Sequence, residues 1–230
     1  MNVGLLHAKP FNASRGTVLK SSETIHSDSL PELTLSGTII SAITEIMDLM
    51  SAEDFIRAPN PALQFIAQVV KSAPPDLQSS FYLGALIAST ADQTMGDSRA
   101  RECIAQRVQD CGDYLAWWSQ GETSTLTQLQ DPLRVATKEL PGGAYYDCLM
   151  KMCTGRRYYF TEESFGIAPA LAQKGDLVCI LFGGNVPYVL RKVGAKYLFI
   201  GDYYLYGSMD GEAVSKQRMS VTDVVDFSML

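Results

Sequence analysis

Apolar residues recur at helical spacing through the first half of the chain and alternate with polar ones through the last third. After Ser36 and Gly37, the apolar residues Ile39, Ile40, Ile43, Ile46, Met47 and Met50 lie mostly three and four positions apart. That spacing predicts a helix with one buried stripe. Pro59 and Pro61 punctuate the chain, and Leu63, Phe65, Ile66, Val69 and Val70 predict a second helix that Pro74 and Pro75 end. A third is expected from about Asp76 through Phe81, Tyr82, Leu83, Leu86 and Ile87. A fourth should run from about Ser98 through Cys103, Ile104, Val108, Cys111, Tyr114 and Leu115 to Trp118. Residues 121–140 are polar and rich in Thr and Gln, as in a long loop. A short helix through Tyr145, Tyr146, Cys148, Leu149, Met150 and Met152 then leads to Arg156 and Arg157.

From Tyr158 the period changes. Strands are expected at residues 157–161, 176–182, 186–193 and 196–200, with turns at 183–185 and 194–195, and a closing helix or strand at 221–227. Short strands with glycine punctuation fit a small curled sheet. The fold class is therefore α+β: a helical half over residues 35–155 packed on a small, curled antiparallel β-sheet or partial barrel over residues 156–230. Residues 1–34 are expected to form an extended N-terminal arm with room for a strand, and the whole to make one compact unit.

Composition narrows the function classes. The 230 residues carry a formal charge of −6 and no basic run longer than Arg156-Arg157, which argues against nucleic acid and against an anionic membrane surface. No stretch approaches the length of a spanning helix, and the first residues lack the apolar run of a signal peptide, so the expected compartment is the cytoplasm. Cys103, Cys111, Cys148, Cys153 and Cys179 are odd in number and scattered, as reduced core thiols are. His7 and His26 pair with no cysteine at ligand spacing, so no metal site is expected. No phosphate-binding loop, dinucleotide fingerprint, nucleophile elbow or HExxH motif is present, and no cofactor is expected.

Three runs carry a resemblance: Gly175-Asp176 followed by the apolar residues 177–182 and Gly183-Gly184; Pro187-Tyr188-Val189-Leu190-Arg191; and Gly201-Asp202 leading through Tyr203, Tyr204 and Tyr206 to Gly207-Ser208-Met209-Asp210-Gly211-Glu212. In this order they resemble the C-terminal region of fungal heterokaryon-incompatibility (HET) domain proteins. The likeness covers residues 157–212 and continues faintly around 35–40. It implies the C-terminal half of such a protein standing alone, without the TIR-like HET domain, and hence without NAD cleavage. Residues 161–169 are one residue shorter than the family pattern, with Ser164 at a glycine position, and Tyr206 stands where a histidine is frequent. Both departures put in doubt any role inherited unchanged.

The glycines and Asp210 read as turn formers, and Asp176 as a turn or capping carboxylate. Arg191, at the end of an apolar strand, needs a carboxylate or carbonyl partner if buried, and it reads either as an internal ion pair with Glu212 or Asp202 or as a ligand anchor. Seven tyrosines, Tyr158, Tyr159, Tyr188, Tyr197, Tyr203, Tyr204 and Tyr206, crowd the last third. They read either as core or as the wall of a ligand pocket. On the pocket reading, Tyr204, Tyr206 and Arg191 are the catalytic donors, and Trp118, Tyr158, Phe165, Tyr188 and Met209 bind an apolar small-molecule substrate.

Two functions follow. The first is a cofactor-independent cyclase or pericyclase of fungal secondary metabolism, of Diels-Alderase type, which folds an apolar substrate into a reactive conformer while Tyr or Arg polarises a carbonyl. The second is a non-enzymatic interaction module related to allorecognition. A homodimer is compatible with either.

Overall fold

The computed structural model describes residues 13–14, 21–24, 32–55, 60–77, 109, 113, 143–209, 211–213 and 224–230. Their contacts divide the chain into two units, one formed by Met1–Asp48 with Arg157–Leu230, the other by Leu49–Arg156.

The first unit is all β among its described residues. One sheet orders β1 (Ser21–Thr24), β2 (Glu32–Ala42), β6 (Leu177–Leu181), β7 (Tyr188–Val193) and β8 (Lys196–Asp202), with β10 (Val224–Ser228) also paired to β2. The second orders β3 (Glu45–Ile46), β4 (Arg156–Phe160), β5 (Phe165–Pro169) and β9 (Tyr204–Leu205). The pairs β1–β2, β10–β2, β2–β6, β6–β7 and β7–β8 of the first sheet and β3–β4 and β5–β9 of the second are antiparallel.

The first sheet curls until its ends meet. Just beyond β10, Met229 forms a parallel bridge to Tyr197 of β8, and the Leu230 amide donates to the Tyr197 carbonyl at 2.9 Å. The circuit β10, β2, β6, β7, β8 is thereby closed. Leu35, Cys179, Leu181, Leu190, Tyr197, Val225, Phe227 and Met229 form one cluster to which all five strands contribute, so this cluster is the barrel interior. On the opposite face of the same strands, Ile40, Val178, Val189 and Ile200 pack with Ile43, Tyr159, Ala168, Tyr203 and Leu205 to form the core against the second sheet.

That double burial explains the main correction to the sequence-based picture. The helix expected over Ile39 to Met50 is absent: residues 32–42 are β2 and residues 45–46 are β3. Strands covered on both faces are apolar at consecutive positions, and a bulge between Ile39 and Ser41 shifts the alternation by one residue. Together these mimic helical spacing, while the β-branched Thr34, Thr38, Ile39 and Ile40 favour the extended backbone. The helical half expected over residues 35–155 thus gives way, among the described residues, to a mostly β structure with few helices. The curled antiparallel half is present as expected.

In the second unit a 3-10 turn (Ala52–Phe55) precedes α1 (Pro61–Ser72). Asn60 caps α1: its Oδ1 accepts from the amides of Ala62 and Leu63, and its Nδ2 donates to the Phe55 carbonyl. The buried face of α1 is Ala62, Phe65, Ile66 and Val69. α2 (Gly143–Cys153) buries Tyr146, Leu149 and Cys153. These are the second and last helices expected from the sequence. Of the third and fourth helices and the 121–140 loop, only residues 76, 77, 109 and 113 are described, and the last two are helical. No helix among the described residues is long and apolar enough to cross a membrane.

Candidate functional site

The register of the β6–β7 hairpin sets the chemistry of Arg191. Val178 faces Val189, which carries Asp176 and Arg191, two residues further along each strand, to the same face. The guanidinium donates from Nε to Asp176 Oδ1 at 2.8 Å, from Nη2 to Oδ2 at 2.9 Å, and from Nη2 to the Leu171 carbonyl at 2.7 Å. The partner is therefore Asp176, and not Glu212 or Asp202 as expected. Asp176 Oδ2 also accepts from the Gln173 amide, so this nearly buried carboxylate pins the 173–176 turn to β7. The hydrogen bond to Asp176 holds the Arg191 guanidinium above its already high pKa, outweighing the opposing effect of partial burial.

A second group gathers where β5 meets β9. Phe165 and Tyr206 stack with ring centroids 4.8 Å apart and planes at 9°. The Tyr206 amide donates to the Phe165 carbonyl, Ser164 Oγ donates to the Tyr206 carbonyl, and the Leu205 amide donates to Met209 Sδ. Ser164 thus ties the two strand ends together. Gly166 lies so close to the Tyr204 carbonyl that a side chain there would meet it.

Tyr203, immediately before β9, has a different setting. Its ring meets Tyr159 edge-on at 5.6 Å, both phenols are fully buried, and Tyr159 Oη donates to the Tyr204 carbonyl. Tyr203 Oη has no hydrogen-bond partner. Burial above all raises both phenol pKa values, and the neighbouring tyrosines raise that of Tyr159 further. Burial likewise pushes the Cys179 thiol up, so it is a core thiol and not a nucleophile.

The third group faces solvent. Pairing aligns Ile39, Cys179 and Tyr188 on the face that also lines the barrel interior, and Phe199 of β8 stacks obliquely on Tyr188, with centroids 5.5 Å apart. Cys179 at the bottom of this row is fully buried, yet Ile39 is 39% and Phe199 48% exposed, and Leu198 beside it 41%. The row is where the barrel's apolar content reaches its rim. Gly184 leaves room for the Tyr188 ring, which a Cβ there would meet at 2.5 Å. Partial burial raises the Tyr188 phenol, and Asp202 adds to the effect.

The residues proposed from sequence therefore fall in separate places. Phe165, Tyr206 and Met209 lie together on the second sheet. Tyr204 is buried beside them on β9, its register partner being Ile167. Tyr188 sits at the barrel rim and Arg191 in the Asp176 clamp. Tyr158 is fully buried on β4, and Trp118 lies outside the described residues. Sequence reasoning missed Phe199, Ile39 and Tyr203. The alternation of Tyr197 and Phe199 along β8 was a usable signal for the first, whereas the others required the strand register.

The family described as the Het-6 beta-barrel domain matches residues 90–222. The chain is also similar to heterokaryon incompatibility protein 6, OR allele, of Neurospora crassa, at 34% identity over 143 residues. That match covers 57% of this chain and 20% of the relative, so the chain spans about a fifth of the length of the curated relative it matches. No solved structure matches.

Proposed function

The chain belongs to the Het-6 β-barrel domain family, and from that premise we propose that it is a non-enzymatic recognition module of heterokaryon incompatibility, acting in the cytoplasm that fused fungal cells share. The observation that carries this reading is the family match, together with the similarity to heterokaryon incompatibility protein 6 of Neurospora crassa. The structure supports it with the exposed Ile39 and Phe199 on the same barrel face as Tyr188 at the solvent boundary, the kind of surface that binding partners cover. On this reading the Arg191–Asp176 clamp and the Phe165–Tyr206 stack serve as scaffold. The expected donor Arg191 is on β7, held by Asp176, and Tyr206 lies just beyond β9, stacked on Phe165.

The test is a fusion assay. A strain expressing this chain is fused to isogenic strains that express divergent relatives of it, and vital-dye uptake is scored in the fused cells. Death is expected in some pairings and not in self fusions, and it should follow the barrel when residues 32–48 and 157–230 are exchanged together. Fusions that survive regardless of which barrel each strain carries would remove the reading.

A further inference from the structure

The turn that leaves β5 is fixed by two guanidinium groups, and it holds a leucine in solvent. Ala172 donates its amide to the Pro169 carbonyl at 3.0 Å, closing a β-turn with Ala170 and Leu171 at its centre. Both central carbonyls are capped by arginines: Arg157 Nε donates to Ala170 at 2.9 Å and Arg191 Nη2 to Leu171 at 2.7 Å. Arg157 Nη1 also donates to the Met47 carbonyl at 3.1 Å, which ties the turn to the neighbouring chain. Ala172 is buried beneath, yet the Leu171 side chain is 71% exposed, more than any other large apolar residue among those described. It does not stand alone. Leu198 is the cross-strand partner of Arg191, and Val193 lies two residues beyond Arg191 on the same face. Both are exposed.

We propose that Leu171, with Val193 and Leu198 beside it, anchors a docking surface for an acidic, apolar peptide segment of a partner protein. The proposal rests on the recognition reading above and adds a contact on the face of β7 and β8 opposite Tyr188 and Phe199. Charge selects the occupant. Residues 169–176 and their two clamps carry three cations, Arg157, Arg191 and the exposed Lys174, against the single carboxylate of Asp176, in a chain whose net charge is −6. That carboxylate is engaged by Arg191, whereas the hydrogen bonds of Arg157 go to main-chain carbonyls. Carboxylates on the partner therefore complement this surface, and apolar side chains between them cover Leu171. Because the turn is already fixed, little order is lost on binding. A second copy related by a two-fold axis would set the same cations face to face. Three aliphatic side chains are also too small an apolar face to hold the chain on an anionic membrane.

The probe is the heptapeptide Glu-Glu-Leu-Phe-Leu-Glu-Glu, dye-labelled and with blocked termini, titrated against the full chain by fluorescence anisotropy. Saturable binding is expected, together with NMR shifts at the Val193 and Leu198 methyls. Affinity should fall about tenfold in L171A, which removes one apolar contact from an exposed position without disturbing the fold. It should fall severalfold in K174E, and again as salt is raised. No saturable binding up to about 1 mM peptide, equal binding of the peptide with Lys in place of Glu, or binding that L171A and K174E leave intact would each overturn the proposal. So would an absence of peptide binding alongside either of two activities lost in L171A: self-association, which gives the surface to a second copy, or uptake on phosphatidylserine vesicles, which gives it to a membrane. In the fusion assay, death that follows the exchanged barrels yet ignores L171A would remove this surface and leave the recognition reading standing. Survival in every pairing while the peptide still binds as expected would do the reverse.

Discussion

Tyr203 and Asp176 show how differently two buried polar side chains contribute. The Tyr203 hydroxyl is fully buried with only the Tyr159 hydroxyl near it and no well-formed hydrogen bond, so removing it costs little in hydrogen bonding and relieves a desolvation penalty. Y203F is expected to match the parent or exceed it by up to about 1 kcal/mol in urea unfolding at pH 7. The same burial makes stability fall at alkaline pH. Below about pH 10 the phenols are neutral whether the chain is folded or not. Above it the unfolded phenols ionise while Tyr159 and Tyr203 stay protonated in the fold. Unfolding then releases protons, and stability drops by about 1.4 kcal/mol per pH unit for each phenol until its folded pKa is reached. Between pH 10 and 11.5, Y203F should lose stability more slowly by one such increment; parallel curves would show that its phenol ionises freely in the fold. Asp176 is the opposite case, holding both Arg191 and the Gln173 amide. D176A should cost about 2 kcal/mol, discounted for the partial exposure of Arg191. Most of that cost should disappear in a D176A background when Arg191 is changed to Met, as a double-mutant cycle would reveal.

At the scale of elements, legibility in the sequence followed the number of faces each element buries. α1 and α2 bury one stripe apiece, and their apolar spacing located both. The β6–β7–β8 meander was legible because Gly183 and Gly194 mark its turns, each with a positive φ. β2 was not legible, because it feeds the barrel interior through Leu35 and the intersheet core through Ile40, and its bulge breaks the alternation. β5 and β9 escaped for a different reason: Phe165–Pro169 holds a glycine and a proline, and Tyr204–Leu205 is too short to show a period. Of the site, the aromatic richness of β8 and the Phe165–Tyr206 region could be read from composition, whereas the Arg191 partner could not, since it depends on register. Two substitutions test these elements. N60A removes the α1 cap and should cost about 1 to 2 kcal/mol of stability. G166A forces a methyl group onto the Tyr204 carbonyl and should cost about 3 kcal/mol, with loss of the β5–β9 pairing visible in amide exchange.

At the scale of the molecule, among the described residues, the interior of the barrel is occupied by its own side chains, and Ile39 and Phe199 at its rim are among the large apolar residues left exposed. Leu181, Leu190 and Phe227 are buried in the lumen, while Ile39 and Phe199, on the face of Tyr188, and Leu198, on the opposite face of β8, are partly exposed. On the proposed reading, the exposed rim residues serve contact with another chain. The most direct test sets the two kinds of residue against each other in one fusion assay, with the thermal stability of each variant checked beforehand. Dye uptake at fusion should be abolished by F199K and unchanged by Y206F, which keeps the aromatic stack on Phe165 and removes only the phenol oxygen. Death retained by F199K and lost in Y206F would contradict the account and return the function to a catalytic tyrosine.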